Sequence, residues 1–249
     1  MDIDRYNHIK SDIINSNREK MGIGTLSEKT VHAILKDYYA FSKDDQEVAI
    51  NGKIVDIYQE GKVIEIQTRA FEKMRSKLSV LLDEYEVTIV HPIPRYRYLC
   101  WISEAGNDVI SKRKSPKCGT PYSLFIELYK IKSYLGNKNL KFKIVMMDVE
   151  EYRLLNGWSK DKKKGSTRYD RIPLDYVEEF DITCLCDYLQ FIPYDICDEF
   201  VKDEFAKCAK IDKSLAGLVL HILYHIGVVD RIGKKANAYI YSINDKFLY

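Results

Sequence analysis

The sequence predicts an α/β chain in which a mixed sheet is covered by helices and a small helix-and-hairpin domain follows. Three observations predict it. Two amphipathic helical segments bracket a run of three short strands, and the second and third of these carry apolar residues on both sides. From residue 201 onward the pattern changes to helix, turn, helix and hairpin.

Taken in order, Leu26 to Ala40 reads as a helix because Val31, Ile34, Leu35 and Tyr38 recur at helical spacing, with Ser27 as N-cap. Glu47 to Ile50 reads as a strand, and Asn51-Gly52 is a strong hairpin turn into a second strand, Lys53 to Tyr58. The turn Gln59-Glu60-Gly61 leads to a third, Lys62 to Gln67. Arg69 to Tyr85 carries an apolar stripe of Phe71, Met74, Leu78, Leu81, Leu82 and Tyr85, which predicts a second helix. Val87 to Val90 and Tyr96 to Ile102 read as two separate strands, parted at Pro92. An antiparallel meander joined through a helix to a further strand implies a mixed sheet.

Beyond Ile102, Ser111 to Lys117 reads as a basic loop, Tyr122 to Tyr134 as a helix, Lys141 to Val149 as a strand, and Lys160 to Arg168 as a second basic loop. The C-terminal segments are helices at Val201 to Lys210 and Ser214 to Ile226, then strands at Val228 to Ile232 and Tyr239 to Ile243 around Gly233 to Asn237. That order predicts a winged helix-turn-helix. The expected division is a first domain over residues 1–182 and a second over 183–249.

Bulk properties narrow the function classes. The 249 residues are 46% hydrophobic and 31% charged, which argues against wholesale disorder. A net charge of +2 excludes a chain that is basic throughout, so any nucleic-acid surface must come from local clustering. No apolar run is long enough for a bilayer, and the first five residues lack the start of a secretory signal, which points to the cytoplasm. Cys100, Cys118, Cys184, Cys186, Cys197 and Cys208 read as buried reduced thiols, because no His/Cys spacing completes a zinc site.

Polar residues intrude on the two central strands at Asp56, Glu65 and Gln67. Folding the hairpin about Glu60 brings Asp56 within one residue of lying opposite Glu65, and a bulge at the turn adjusts the register. Two carboxylates ~5 Å apart on one face then need a proton or a cation, and a hard divalent ion is the natural partner. The Ile66 carbonyl offers a third oxygen.

An acidic residue on a first helix, an Asp, then Glu-x-Lys on the next strand and a crossover helix make up the core of the PD-(D/E)XK nucleases, the restriction-endonuclease-like fold. This chain resembles that superfamily through Glu28, Asp56 and Glu65-Ile66-Gln67. It is also similar to a group of uncharacterised bacterial proteins that share a helix with Ser27, Glu28, His32 and Lys36, a Glu-Ile-Gln-Thr strand, a Lys-Ser-Pro-Lys loop and a C-terminal winged helix. The resemblance implies a Mg²⁺- or Mn²⁺-dependent endodeoxyribonuclease acting on DNA, and superfamily members often work as homodimers. It implies Asp56 and Glu65 as metal ligands, Glu28 at a second metal or a metal-bound water, and Gln67 orienting the attacking water.

Gln67 departs from the pattern, since the superfamily usually has Lys there. A neutral amide orients water but adds no charge; Lys73 and Lys77 on the following helix are candidate substitutes. The alternative is a degenerate nuclease fold that binds DNA or regulates without cutting. Bland readings stand beside both: Glu28 suits a first helical turn through the helix dipole, and His32 reads as a hydrogen-bonded packing residue. For backbone contact the sequence offers Lys112, Arg113, Lys114 and Lys117 in the loop, Lys213 on the presumed recognition helix, and Arg231, Lys234 and Lys235 in the wing.

Overall fold

A computed structural model describes residues 2–21, 30–103, 109–154 and 167–247. The elements in chain order are α1 (Ile3–Met21), α2 (Thr30–Tyr39), β1 (Gln46–Ile50), β2 (Lys53–Gln59), β3 (Lys62–Ile66), α3 (Arg75–Leu81), β4 (Glu86–Ile102) and β5 (Val109–Lys114). Then come α4 (Leu124–Leu128), β6 (Leu140–Leu154), β7 (Thr167–Ile182), β8 (Phe200–Val201), α5 (Lys202–Cys208), α6 (Lys213–His225), β9 (Val229–Lys235) and β10 (Ala238–Ile243). This is a mixed α/β chain with a large helix-flanked sheet in the order β1-β2-β3-β4-β6-β7, with β5 paired to β4, and a second sheet β8-β10-β9. Among the described residues no helix is long and apolar enough to cross a membrane.

The chain divides into two compact units. The first holds Met1–Thr68, Pro92–Thr120 and Val145–Glu179. Here α1 packs on α2, and α2 packs on β2 and β3. Ile34, Leu35, Val55, Ile57 and Val63 are wholly buried between them. Burying such side chains stabilises by roughly 1.5–3 kcal/mol each, before the entropy of ordering is subtracted. A tyrosine cluster closes the outer end: the Tyr6 ring stands edge-on to Tyr38 and Tyr176, and Tyr39 and Tyr176 both hydrogen-bond Glu179. Burial pushes the Tyr39 and Tyr176 phenols far above their ordinary range, with Glu179 adding to it, so they stay protonated donors.

The second unit holds Arg69–His91, Pro121–Ile144 and Phe180–Tyr249. Its core stacks Phe71 on Phe142 and sets Phe125 edge-on to Phe191. The amide of Phe71 donates to the Glu127 carboxylate. α6 packs against α4 and α5 and buries Val219, Leu220, Ile222 and Leu223. Asp212 caps α6, accepting from the amides of Ser214 and Leu215 at 2.9 Å. β9 and β10 form the hairpin after it.

Several expectations need correction. The strands expected at 87–90 and 96–102 are one strand, β4, which runs through Pro92 and Pro94. Two prolines at alternate positions leave their missing donors on one edge, and their fixed φ suits extended backbone. The basic segment expected as a loop over Ser111 to Lys117 is a strand up to Lys114, laddered to β4 from Tyr98 to Ile102. The helix expected over 69–85 is a 3₁₀ turn, Phe71–Met74, followed by the short α3, because Ala70 adopts φ 63° and breaks the entry. The helix expected over 122–134 is interrupted at Ile131, whose φ of −121° is not helical. α1 and β7 were not foreseen from hydrophobic pattern. The second basic loop lies outside the described residues from 155 to 166, and Arg168 belongs to β7.

The cysteines also differ from the expectation of buried thiols. Cys184 and Cys186 are joined in a disulfide; Cys100 is buried, whereas Cys118 and Cys197 are exposed.

Candidate metal centre

Two turns set the site. Asn51-Gly52 and Glu60-Gly61 both have positive φ at each central residue, 48° and 73° in the first and 51° and 77° in the second. These are two-residue turns whose twist matches paired strands. The second pairs Gln59 with Lys62, Tyr58 with Val63 and Ile57 with Ile64. Continuing that register by one residue sets Asp56 opposite Glu65, so the bulge anticipated at the turn is not needed. Residues opposite one another in an antiparallel pair point to the same face.

The side chains converge accordingly. The Asp56 carboxylate accepts from the Ile66 amide through Oδ2 at 2.7 Å, and the same oxygen lies 3.2 Å from His32 Nε2. Glu65 Oε1 accepts from the Asp56 amide at 3.4 Å. Glu65 is 2% exposed, while the Asp56 and His32 side chains are each 23% exposed. Glu65 is thus buried, whereas Asp56 and His32 are partly open to solvent. Gln67 follows directly after β3 and is half-buried.

His32 stands here because α2 is anchored at its start. The Thr30 amide donates to Asp170 Oδ1 at 3.4 Å and the Thr30 hydroxyl donates to Oδ2 of the same carboxylate. Asp170, on β7, is 4% exposed. Reading the sequence as local elements missed Asp170, since its partner is 140 positions away. His32, read from sequence as a packing residue, hydrogen-bonds a predicted metal ligand; its position one turn after Glu28 was the available signal. Glu28 itself lies outside the described residues.

The donors fit a hard divalent cation in kind: two carboxylates, the Ile66 carbonyl and an imidazole nitrogen. Among the described residues, the trio with ligand atoms all within 4.8 Å of one another is Cys184, Cys186 and Asp187 instead. That trio is a poor cation site, because its sulfurs are spent in a disulfide. Asp187 Oδ2 already accepts from the Thr183 amide and hydroxyl and from the Cys184 amide. Burial would raise the Asp187 carboxyl, but those donors outweigh it and hold it below the usual range.

The cationic residues fall into separate groups. Lys112, Arg113 and Lys114 lie along β5 in the first unit, with Lys117 just beyond. Lys112 pairs with Glu150 at 2.5 Å, and Arg95 grips Asp148 through two hydrogen bonds. Burial would raise the Asp148 carboxyl; the Arg95 hydrogen bonds and the Tyr96 amide outweigh it, and the group is held low. In the second unit, Lys213 pairs with Asp203 and the Arg231 guanidinium sits over the rings of Tyr224 and Tyr239 at 4.2 and 4.1 Å. Lys234 and Lys235 are exposed at the end of β9.

Residues 29–183 match a family described as "Domain of unknown function (DUF8091)". An uncharacterized protein of Treponema pallidum (strain Nichols) is 31% identical over 152 residues, which is 61% of this chain and 58% of the relative. The chain therefore spans little more than half the length of that relative. No solved structure matches the chain. The matched residues take in His32, Asp56, Glu65, Gln67 and β5.

Proposed function

We propose that the chain, which belongs to the family of that domain of unknown function, is a divalent-metal-dependent nuclease that hydrolyses DNA phosphodiester bonds. The observation that carries the reading is that His32 Nε2 and the Ile66 amide both meet Asp56 Oδ2, while Glu65 Oε1 accepts from the Asp56 amide across the hairpin. Glu65 is buried opposite Asp56 in the hairpin register, and a divalent cation is one partner that offsets the cost of burying a carboxylate. The proposal includes a PD-(D/E)XK, restriction-endonuclease-like core over 1–182 and a winged helix over 183–249, working in the cytoplasm as a monomer or homodimer.

Asp56, Glu65 and the Ile66 carbonyl would hold Mg²⁺ or Mn²⁺, with Glu28 at a second position. Bound there, the cation supplies an acidified water and neutralises phosphate charge. The chain's own groups do the rest. The Ile66 amide and His32 fix the Asp56 carboxylate, so only small rearrangement is needed on loading. Gln67 orients the water through its amide, and Lys112, Arg113, Lys114 and Lys117 hold the nucleic-acid backbone, with Lys213, Arg231, Lys234 and Lys235 assisting from the C-terminal domain.

The test is incubation of the purified chain with plasmid, single-stranded and branched DNA, with and without Mg²⁺ or Mn²⁺. Cutting that needs the metal and falls to background in Glu65→Ala is the expected result. Failure to cut any substrate, or equal cutting by that variant, defeats the catalytic reading. One specific feature favours a second reading, a DNA-binding regulator: Gln67 brings no positive charge where the superfamily has Lys. DNA binding with no Mn²⁺ heat in calorimetry selects that reading over the first.

A further inference from the structure

The ladder between β4 and β5 interleaves rings and cations in a way that metal chemistry does not require. Its register pairs Tyr98 with Lys114, Cys100 with Lys112, Leu99 with Arg113 and Trp101 with Ser111. Opposite residues share a face, so Tyr96, Tyr98, Lys112 and Lys114 lie on one face of the ribbon and Trp101 and Arg113 on the other. Cations cover the rings on both sides. Lys114 Nζ lies 3.5 Å from the Tyr96 centroid, Lys112 Nζ 5.6 Å from Tyr98, and the Arg113 guanidinium 5.1 Å from Trp101.

β5 is exposed along its whole length and, among the described residues, pairs with β4 alone. Residues 92–103 and 109–120 carry six cations and no acid. Carboxylates of β6 take two of those cations, Arg95 and Lys112. Arg113, Lys114 and Lys117 form no ion pair with a described residue. Lysines on an edge strand commonly serve only to prevent pairing with another sheet. That role needs no aromatic rings beneath the cations, and here three are present.

We infer that one face of this ribbon is a docking strip for single-stranded DNA, with bases stacking on Tyr96 and Tyr98 and phosphates held by Lys114 on that face and by Lys117 just beyond β5. Magnitudes favour the exchange. An exposed cation over a ring is worth roughly two- to fivefold in affinity. A base stacked on the same ring is worth roughly five- to a hundredfold, and the displaced cation then gains a phosphate. Duplex DNA hides its base faces inside the stack and cannot use the rings. The inference rests on DNA being the substrate proposed above and narrows it to unpaired strands.

The experiment is anisotropy of fluorescein-labelled oligo(dT) of 20 nucleotides, titrated with the whole chain in EDTA over a range of salt concentrations. Expected results are tighter binding of the single strand than of a duplex of equal length, and about tenfold weaker binding by Tyr98→Leu at unchanged salt slope. Lys114→Gln and Lys117→Gln should each lower the salt slope by about 0.7. Should those variants fold poorly, Trp101 emission in a Trp158→Phe chain gives a second readout: Trp101 lies on the opposite face and should keep its intensity at saturation. Equal or tighter duplex binding, an unaffected Tyr98→Leu, or quenched Trp101 overturns the strip; tighter binding of oligo(U) overturns its assignment to DNA. Because no metal is present, binding without any cutting sinks only the nuclease reading, and metal-dependent cutting with no ring dependence sinks only the strip.

Discussion

Replacing Asp56 by Ala and by Asn separates its two possible roles, as a strut and as a metal ligand. Its carboxylate accepts the Ile66 amide at 2.7 Å, and Ile66 is 2% exposed. A hydrogen bond to a charged acceptor contributes about 1.5–3 kcal/mol, and an amide left unpaired in the interior costs a similar amount. The Asp56 side chain is 23% exposed, so water reaches part of the gap and the lower half of that range applies. Asp56→Ala should therefore lose about 2 kcal/mol, a fall in Tm of roughly 4–8 °C for a chain of this size. Asp56→Asn keeps an acceptor for Ile66 and should lose less than about 1 kcal/mol. Urea unfolding at neutral pH without metal measures both.

Mn²⁺ then reports the second role. At a hundredfold excess over its Kd a ligand stabilises by about 2.7 kcal/mol, roughly 5–10 °C in Tm. Wild type should show that rise in thermal unfolding, and neither variant should. An Asn variant as unstable as Ala would refute the hydrogen-bond argument. An Asn variant that keeps the full Mn²⁺ rise would refute Asp56 as a ligand.

Two further predictions concern the surroundings. Glu151 is buried with a side chain 1% exposed and accepts from Arg153 through Oε1 and from Arg171 through Oε2, at 2.9 Å from each Nε. Burial alone would raise its carboxyl; Arg171 first and Arg153 second outweigh burial and hold it below the ordinary range. A depressed carboxyl adds stability above its unfolded pKa and loses it as pH falls through the folded value. Arg171→Met should therefore cost about 2–3 kcal/mol at neutral pH, with Arg153 moderating the loss, and the acid part of the stability curve should flatten; a cost under about 0.5 kcal/mol with an unchanged acid slope would count against it. Iodoacetamide footprinting of the folded chain should label Cys118 and Cys197 first and Cys100 only after unfolding, because burial pushes the Cys100 thiol up. Cys184 and Cys186 should label only after reduction, so early labelling of either pair member, or of Cys100, contradicts the structure.

Local rules were enough for part of the candidate site. Asn51-Gly52 and Glu60-Gly61 dictate tight turns by chemistry confined to two residues, but the second was read as the three residues Gln59 to Gly61, which left Asp56 one position short of Glu65 until the pairing of Gln59 with Lys62 set the register. The helix of His32 and its apolar side were legible from periodicity, as was the order helix, helix, hairpin after residue 201. Prolines misled at β4, where two extended-compatible rings look like a break. The Lys-Arg-Lys run misled too: composition reads as loop, while its strand geometry depends on a partner strand supplied by residues 98–102.

The sequence by itself determined the elements whose causes are short-range: the glycine turns, the amphipathic helices, and two acids placed to meet across a hairpin. Tertiary structure decided which groups meet the two acids. Asp170 reaches Thr30 across 140 positions, His32 reaches Asp56 across 24, and Lys112 and Lys114 meet the rings of β4 only once the ladder forms. The physical reason is that side-chain hydrogen bonds and ring contacts act over a few ångströms in space, whereas periodicity records only which way a residue faces along its own segment.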